Sequence, residues 1–250
     1  MSLDRLWRGF GTYLSFFIFG LVSLIWVVLY PALSLCSAER RQRLTRVLVR
    51  RWFLFFLRFM RALGLCSWEL VGAAELGRPG QLIVANHPMF LDIMFLLALM
   101  PNASCIVKGS LRRNPVTRWA IIASNYVSND STEAMLSGAV TALSRGEPFI
   151  IFPEGTRTEP GAAVVFQRGA AHIALSGAKV LTPVVLTCHP PTMTKGFPWY
   201  RIPPQKWHFT MTACKDIELA PFRAMGPVPV ASRRLNEHLQ MMMTQRLSNA

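Results

Sequence analysis

Two short stretches of the sequence bring together side chains that acid–base chemistry needs. The first, LIVANHPMFLD at residues 82–92, places His87 after an apolar run and Asp92 five residues later. Residues five apart on one continuous helix point about 140° away from each other, so they would not meet there. Pro88 fits the first position of a helix. If His87 lies just outside that helix, Asp92 leans back and reaches one ring nitrogen.

The other ring nitrogen of His87 would then be a general base. A carboxylate on the far nitrogen fixes the tautomer and stabilises the imidazolium, as in the hydrolase triads but without a serine. The same H-x-x-x-x-D spacing also fits a purely structural pair of buried side chains.

The second stretch, PFIIFPEGTR at residues 148–157, leads an apolar run directly into Glu154, Gly155, Thr156 and Arg157. Gly155 permits close approach of the backbone to a ligand, and the planar guanidinium of Arg157 suits phosphate or carboxylate. A strand-end turn with a surface arginine is the structural alternative.

Short apolar runs alternate with helical patterns from about residue 68 onwards. The predicted strands are 81–85, 104–108, 148–152, 180–187 and 208–213, and the predicted helices are 90–100, 115–124, 132–145, 167–176 and 232–246. This alternation predicts an α/β fold with a largely parallel central sheet flanked by helices. Sites in such sheets form beyond the carboxyl ends of strands, where both polar stretches lie.

The amino-terminus predicts membrane attachment. Residues 9–38 contain no charge, and about 20 apolar residues suffice to cross a bilayer. Gly20 and Pro31 also allow a bent helix inserted in one leaflet. An aromatic-rich stretch with many arginines follows, typical of an interfacial helix: Arg40, Arg41, Arg43, Arg46, Arg50, Arg51, Arg58 and Arg61. On a helix all of them except Arg41 fall within an arc of roughly 140°, which predicts one basic face. Residues 1–65 are therefore predicted to anchor a catalytic domain, residues 66–250, that the positive-inside rule places in the cytoplasm.

Composition favours a membrane partner over nucleic acid. The net charge of +14 suits either, but 52% hydrophobic residues and a mean hydropathy of +0.31 are too apolar for a typical nucleic-acid binder. Five cysteines without a C-x-x-C pair indicate reduced, mostly buried thiols, and the histidines lack ligand spacing. No metal site and no bound cofactor are predicted.

Taken together, N-H-x-x-x-x-D and F-P-E-G-T-R at this separation resemble the glycerolipid acyltransferases, the lysophosphatidate (1-acyl-sn-glycerol-3-phosphate) acyltransferase group. The resemblance covers about residues 68–215 and includes Lys108 in IVKGSL, the segment FQRGAAHIAL and LTPVVL. The hydrophobic amino-terminus is similar to that of the membrane-bound bacterial members. This implies a bacterial-type inner (cytoplasmic) membrane, with the catalytic domain facing the cytoplasm.

The resemblance implies direct transfer of an acyl chain from an acyl carrier protein or coenzyme A thioester, a co-substrate, to a lysolipid hydroxyl. His87 would deprotonate that hydroxyl while Asp92 holds the ring. The absence of G-x-S-x-G agrees with a reaction that uses no covalent nucleophile. Backbone N–H groups at the helix start after His87 are expected to stabilise the oxyanion.

The resemblance also implies the substrate-binding residues. Arg157 would hold the acceptor phosphate with Lys108 as a second cation, while Glu154, Gly155 and Thr156 shape the acceptor site. Asn129 in YVSN stands where the family's second motif carries an arginine linked to glycerophosphate recognition.

Asn129 leaves alternatives open. The most direct expectation is 1-acyl-sn-glycerol-3-phosphate as acceptor, giving phosphatidate. A lyso-ornithine lipid or a polyene or fatty-acid-like lipid precursor is the second, and a catalytically silent membrane scaffold that binds acyl carrier protein is the third. The Pro-rich segment 189–204 is either a loop over the sheet or a lid that contacts acceptor or carrier.

Overall fold

The computed structural model describes residues 3–248 and is built on one mixed sheet. Its strands within these residues are β1 (Cys66–Val71), β2 (Gln81–Ala85), β3 (Ser104–Val107), β4 (Val127–Ser128), β5 (Phe149–Ile151), β6 (Val180–His189) and β7 (Trp207–Ala213). Their order is β1-β7-β6-β2-β5-β3-β4. Strands β2 to β6 are mutually parallel, whereas β7 is antiparallel to β6 and pairs in parallel with β1. The predicted α/β fold with a largely parallel sheet is confirmed.

Helices cover both faces of the sheet. They are α1 (Leu3–Ser34), α2 (Ala38–Ala62), α3 (Asp92–Leu99), α4 (Gly109–Arg113), α5 (Arg118–Ser124), α6 (Thr132–Ser144), α7 (Gly169–Gly177), α8 (Ala220–Arg223) and α9 (Val228–Ser248). One core lies between the sheet, α2 and α3, and a second lies between the sheet, α6, α7 and α9. The sequence reading missed β1, β4, α4 and α8, of which β4, α4 and α8 are too short to show a hydrophobic period.

Helix α1 is the long apolar helix that the sequence predicts. Among the described residues it is the one helix long and apolar enough to cross a membrane. It runs back along α2, because Trp7 Nε1 donates to the Leu63 carbonyl (2.9 Å) while Phe19 packs on Phe56 (5.2 Å between ring centroids). Its outward side chains are exposed and apolar, among them Phe10, Phe17, Leu21, Leu24, Ile25 and Val28.

Helix α2 is less exposed than its arginines suggest. Phe56 and Met60 are fully buried in the core that also contains Phe95 of α3. The anchoring helices and the α/β domain therefore share packing across residue 65, and the division at that point stays a prediction. Residues 1, 2, 249 and 250, which the predicted domains include, lie outside the described residues.

One arginine of the predicted basic face of α2 is buried instead of exposed. Arg46 is 3% exposed, and its guanidinium donates to the carbonyls of Ser124 and Asn102 (both 2.9 Å) and to Glu147 (2.8 Å). Gln42 one turn earlier donates to the same carboxylate (2.8 Å). Because α2 packs against α5 and α3, its basic arc is too wide to face solvent or lipid throughout.

We expect the Arg46–Glu147 pair to dominate the stability of this contact. Arg46→Met should lower the free energy of unfolding by about 3–5 kcal/mol, because it leaves the buried Glu147 carboxylate without its cation. Arg46→Met combined with Glu147→Leu should recover much of that loss. The measurement is denaturant unfolding in detergent. The control is Arg233→Met, which removes an exposed pair with Glu237 on α9 and should cost at most about 1 kcal/mol. Equal losses in Arg46→Met and the control would contradict this.

Candidate active site

The predicted pair of His87 and Asp92 is in contact. His87 follows β2 by two residues, and Asp92 is the first residue of α3. Asp92 Oδ2 lies 2.8 Å from His87 Nδ1 and accepts the Met89 N–H at the same distance. Asp92 is fully buried, whereas 19% of the His87 side chain is exposed. Burial raises the pKa of Asp92, and its hydrogen bond with His87 opposes that shift.

The turn between these residues differs from the prediction. Helix α3 begins at Asp92, so Pro88 lies in a loop and is not the first helical residue. Two of the backbone N–H groups expected to stabilise the oxyanion already have partners in this loop. The Met89 N–H donates to Asp92 (2.8 Å) and the Phe90 N–H donates to the Met193 carbonyl (3.0 Å). The hydrogen bond from the Met89 N–H to Asp92 closes the loop, so this N–H cannot also stabilise an oxyanion.

The imidazole of His87 is held from a second side by an aromatic ring. Phe152 stacks on it with centroids 4.1 Å apart and planes at 14°. Among residues 3–248, His87 Nε2 has no hydrogen-bond partner, so this nitrogen can face a substrate. Sequence reasoning missed Phe152 as a site residue. The pairing of Val84 with Ile151 in neighbouring parallel strands brings the residues that follow them together.

Glu154 ties the second motif to the first. Its Oε1 accepts the His87 N–H (2.9 Å) and its Oε2 accepts the Thr158 hydroxyl, while the Thr158 N–H donates to the His87 carbonyl (3.1 Å). Burial, the largest cause, raises the pKa of Glu154 from its ordinary 4.5 to about 7. Two loops from neighbouring strands are thus joined around the His87 backbone.

Gly155 and Thr156 form the exposed tip of this second loop. Gly155 has φ +70°, and its N–H donates to the Phe152 carbonyl (3.1 Å) to close a turn. An L side chain rarely adopts that φ, which accounts for glycine here. The turn directs the chain so that Arg157, two residues later, reaches back over the first motif.

Arg157 is anchored along one edge of its guanidinium. Its Nη1 donates to the carbonyls of Met193 (2.8 Å) and Thr194 (3.3 Å), and the guanidinium lies 5.8 Å from the ring centroid of Phe90. Within the described chain, no hydrogen-bond partner accepts from Nη2 or Nε. Those nitrogens carry three N–H donors, which suits bidentate binding of a phosphate.

Lys108 and Asn129 lie at the same sheet edge but form a separate group. They follow β3 and β4, which are two and three strands away from β2, or roughly 10 and 14 Å at the usual strand spacing. Asn129 Oδ1 accepts the Gly109 N–H (3.0 Å) at the start of α4, and Lys108 is exposed. The structure shows no contact between this pair and Arg157 among the described residues. Asn129 instead supports the turn into α4, a role that an arginine, which accepts no hydrogen bond, would not fill.

The buried cysteines take no part in the site chemistry. Burial raises the pKa of Cys66, Cys105 and Cys188 to about 12, so they are thiols near neutral pH. The prediction of mostly buried, unpaired cysteines is confirmed for the described residues.

Comparison with known proteins agrees with this fold and these motifs. A family model described as Acyltransferase matches residues 69–187. The 1-acyl-sn-glycerol-3-phosphate acyltransferase of Saccharomyces cerevisiae is 27% identical over 164 residues, covering 61% of this chain and 52% of that protein. The protein of the same name from Helicobacter pylori is 32% identical over 125 residues, covering 47% of this chain and 52% of that protein. The chain spans about half the length of these curated relatives that it matches.

A solved structure shares the whole architecture. The 1-acyl-sn-glycerophosphate (LPA) acyltransferase PlsC from Thermotoga maritima superposes with a TM-score of 0.76 at 18% identity, covering 99% of this chain and 98% of that one. The fold and the two motifs define a class of acyltransferase-like α/β proteins with an apolar amino-terminal helix. Residues 69–187 of this chain match the Acyltransferase family model, and curated proteins similar to the chain are 1-acyl-sn-glycerol-3-phosphate acyltransferases.

The buried Glu154 predicts a pH-dependent stability. Because its pKa rises from 4.5 to about 7 on folding, the folded protein holds a proton that the unfolded chain has lost within that window. Wild-type stability therefore falls as pH rises from 4.5 to 7, and Glu154→Gln escapes this loss. The variant's melting temperature relative to wild type should increase between pH 5 and pH 8. Glu159→Gln, at an exposed position nearby, is the control. A difference for Glu154→Gln that does not change with pH would contradict this.

Proposed function

We propose that this protein is a membrane-associated O-acyltransferase. It moves an acyl chain from an acyl carrier protein or coenzyme A thioester to the free hydroxyl of 1-acyl-sn-glycerol-3-phosphate, giving phosphatidate. The observation that carries the proposal is the arrangement of two groups beside one turn. His87 Nε2, oriented by buried Asp92, is open to substrate, and Arg157 presents three N–H donors above the same loop.

The chemistry follows from the orientation of His87. With Nδ1–H donated to Asp92, Nε2 carries the lone pair that takes the proton of the acceptor hydroxyl. The alkoxide attacks the thioester carbonyl carbon and forms a tetrahedral oxyanion. Collapse breaks the C–S bond, and the imidazolium returns the proton to the leaving thiolate. Asp92 stabilises the imidazolium formed between these steps, and no residue is acylated.

The acceptor is placed by its phosphate. Arg157 meets phosphate with the open edge of its guanidinium, because the other edge is fixed to the Met193 and Thr194 carbonyls. The fixed edge limits the rotamers of this long side chain, so less entropy is lost on binding. Glu154 does not compete for Arg157, since its two carboxylate oxygens are occupied by His87 and Thr158.

The thioester donor has room on the other side of the Glu154 loop. A cavity of about 580 Å³ lies between residues 158–164, the end of β6 and the last turn of α9. Its lining combines Thr158, Thr187 and Thr244 with apolar side chains such as Leu186 and Leu247. Hydroxyl groups and apolar surface together suit the amide-containing pantetheine arm that both donor types share.

Helix α1 lies in the plane of the membrane surface in this proposal. Its amino-terminal half contacts residues near Leu63, and Tyr30 near its carboxyl end packs on Trp119 of α5 (4.5 Å). The α/β domain therefore follows the helix along its length. A helix crossing the bilayer would carry the polar groups of that domain into hydrocarbon, which is unfavourable.

The in-plane orientation predicts that thiols at both ends of α1 are modified by a reagent on one side of the membrane. Cys36 lies two residues after the end of α1, and Leu3→Cys adds a thiol at the other end. In sealed vesicles, a membrane-impermeant maleimide should modify both positions from the face that carries the α/β domain. Lys215→Cys, on that domain, marks the face. Modification of positions 3 and 36 from opposite faces would show a spanning helix instead.

Arg157 predicts the preference for a phosphate-bearing acceptor. Losing hydrogen bonds to a charged group costs about 1.5–3 kcal/mol, so Arg157→Ala should lower kcat/KM for lysophosphatidate by roughly 10- to 150-fold. The loss should appear mainly in KM, and monoacylglycerol, which lacks phosphate, should be unaffected. Arg168→Ala is the control, because Arg168 is another exposed arginine of the following loop. Equal losses with both acceptors would remove Arg157 from phosphate recognition.

A different acceptor is the second candidate function, favoured by Asn129, which follows β4 at the position where the resemblance implies an arginine. Both are tested by incubating detergent-purified protein with labelled acyl thioester and a panel of lysophosphatidate, lyso-ornithine lipid and monoacylglycerol. Product from lysophosphatidate supports the first proposal. Product from lyso-ornithine lipid alone supports the second. The absence of product with every acceptor would contradict both and favour a silent scaffold.

A further inference from the structure

A Pro-rich segment links the membrane helix to the phosphate-binding arginine. Residues 193–204, here called the bridge segment, begin beside the first motif and end against α1. Sequence reasoning left this segment open between a loop over the sheet and a lid. Its contacts show that each end is held by a different part of the molecule.

The first end of the bridge segment holds Arg157. Met193 is 2% exposed, and its carbonyl accepts both the Arg157 Nη1–H (2.8 Å) and the Phe90 N–H (3.0 Å). The Thr194 carbonyl accepts Arg157 Nη1 (3.3 Å) and the Phe197 N–H (3.2 Å). The guanidinium thus takes its position from two carbonyls of this segment and from no acidic side chain within the described residues.

The second end is clamped by α1. The Trp199 ring packs on Phe16 (4.6 Å between centroids) and on Tyr13 (5.7 Å). The Tyr13 hydroxyl donates to the Tyr200 carbonyl (3.4 Å), and the buried Arg8 donates to the Pro204 carbonyl (2.7 Å). Several independent contacts along about two turns of α1 therefore fix this end.

We propose that the bridge segment transmits the position of α1 to Arg157, with Trp199 as the positioning residue. This rests on the proposed function, because it assigns Arg157 to the acceptor phosphate. The bilayer that holds α1 sets the depth of Trp199, and the segment sets where the guanidinium meets a lipid headgroup. The ligand that Arg157 binds in this arrangement is a phosphate-bearing lipid that reaches the site while still in the bilayer.

The segment between Trp199 and the carbonyls that hold Arg157 is short. Four residues lie between Thr194 and Trp199, and the Thr194–Phe197 turn shortens the path between them. Because this segment is short, a displacement of Trp199 also shifts the carbonyls of Met193 and Thr194. Displacements of about 1 Å in a positioning group can cost as much as 100-fold in rate.

The kinetic test compares Trp199→Ala with wild type on acceptors presented in vesicles. We expect kcat/KM for lysophosphatidate to fall about tenfold through KM, within the range that misplacement produces. The value for monoacylglycerol should not change, so the preference for phosphate falls by the same factor. Trp199→Phe should restore most of it, because an aromatic ring can still pack on Phe16. Tyr200→Ala should have a smaller effect, because it keeps the bond from Tyr13 to the Tyr200 carbonyl and removes only an edge contact with the Trp199 ring (5.8 Å).

Hydrogen exchange tests the bridge independently of activity. In Trp199→Ala the amide of Phe90, which donates to Met193, should exchange faster than in wild type, whereas the amide of Met89, bound to Asp92, should not. Unchanged exchange at Phe90 together with an unchanged phosphate preference would overturn the proposal. Equal loss with both acceptors would also overturn it, since that indicates general damage. If wild type shows no phosphate preference, the proposed function fails, and the exchange result alone decides whether the bridge exists.

Discussion

The site depends on one buried carboxylate with two hydrogen bonds. Asp92 accepts from His87 Nδ1 and from the Met89 N–H through the same oxygen, in a position without solvent access. A charge in such a place is costly unless it is paired, so the loop between the two residues must close around it. That closure fixes the imidazole plane, sets Phe90 towards Met193, and leaves Nε2 as the one ring nitrogen that can meet a substrate.

The sheet supplies the second constraint. β2 and β5 are parallel neighbours, so the loops that carry His87 and Glu154 leave the sheet side by side. Glu154 then binds the His87 backbone with one oxygen and Thr158 with the other. The acidic residue of the second motif therefore acts on the first motif as a structural tie, whereas Nη2 and Nε of Arg157 keep N–H donors without partners among the described residues. The two motifs form one site because neither loop is complete without the other.

The contact of His87 with Asp92 could be predicted from spacing, because a side chain at a helix start leans towards the preceding loop. The helix itself begins at Asp92, four residues after Pro88 and two residues after the predicted start at residue 90. Pro88 is compatible with a first helical turn, and only the capture of the Met89 N–H by Asp92 shows that the loop continues. The burial of Arg46 could not be predicted from the helical pattern either. Helical periodicity gives the arc of a side chain, but it does not show that α5 and Glu147 lie against part of that arc.

The roles of Phe152, Met193 and Trp199 lay beyond sequence reasoning. Each depends on which segments pack together after the sheet has formed, and none has a spacing that marks it. Asn129 shows a different limit of sequence reasoning. The sequence shows that it differs from the family motif, but only the structure shows that its side chain accepts the Gly109 N–H.

The central claim is that His87, oriented by Asp92, is the base for direct acyl transfer. It is tested by the single-turnover rate of phosphatidate formation from acyl thioester and lysophosphatidate in wild type, His87→Ala and Asp92→Asn, each shown to be folded by circular dichroism. The account predicts a loss of at least about 100-fold in each variant, the usual range for general-base catalysis, with no acylated protein in the intact mass spectrum. Wild-type rates in folded His87→Ala, or a stable acyl-enzyme, would contradict it.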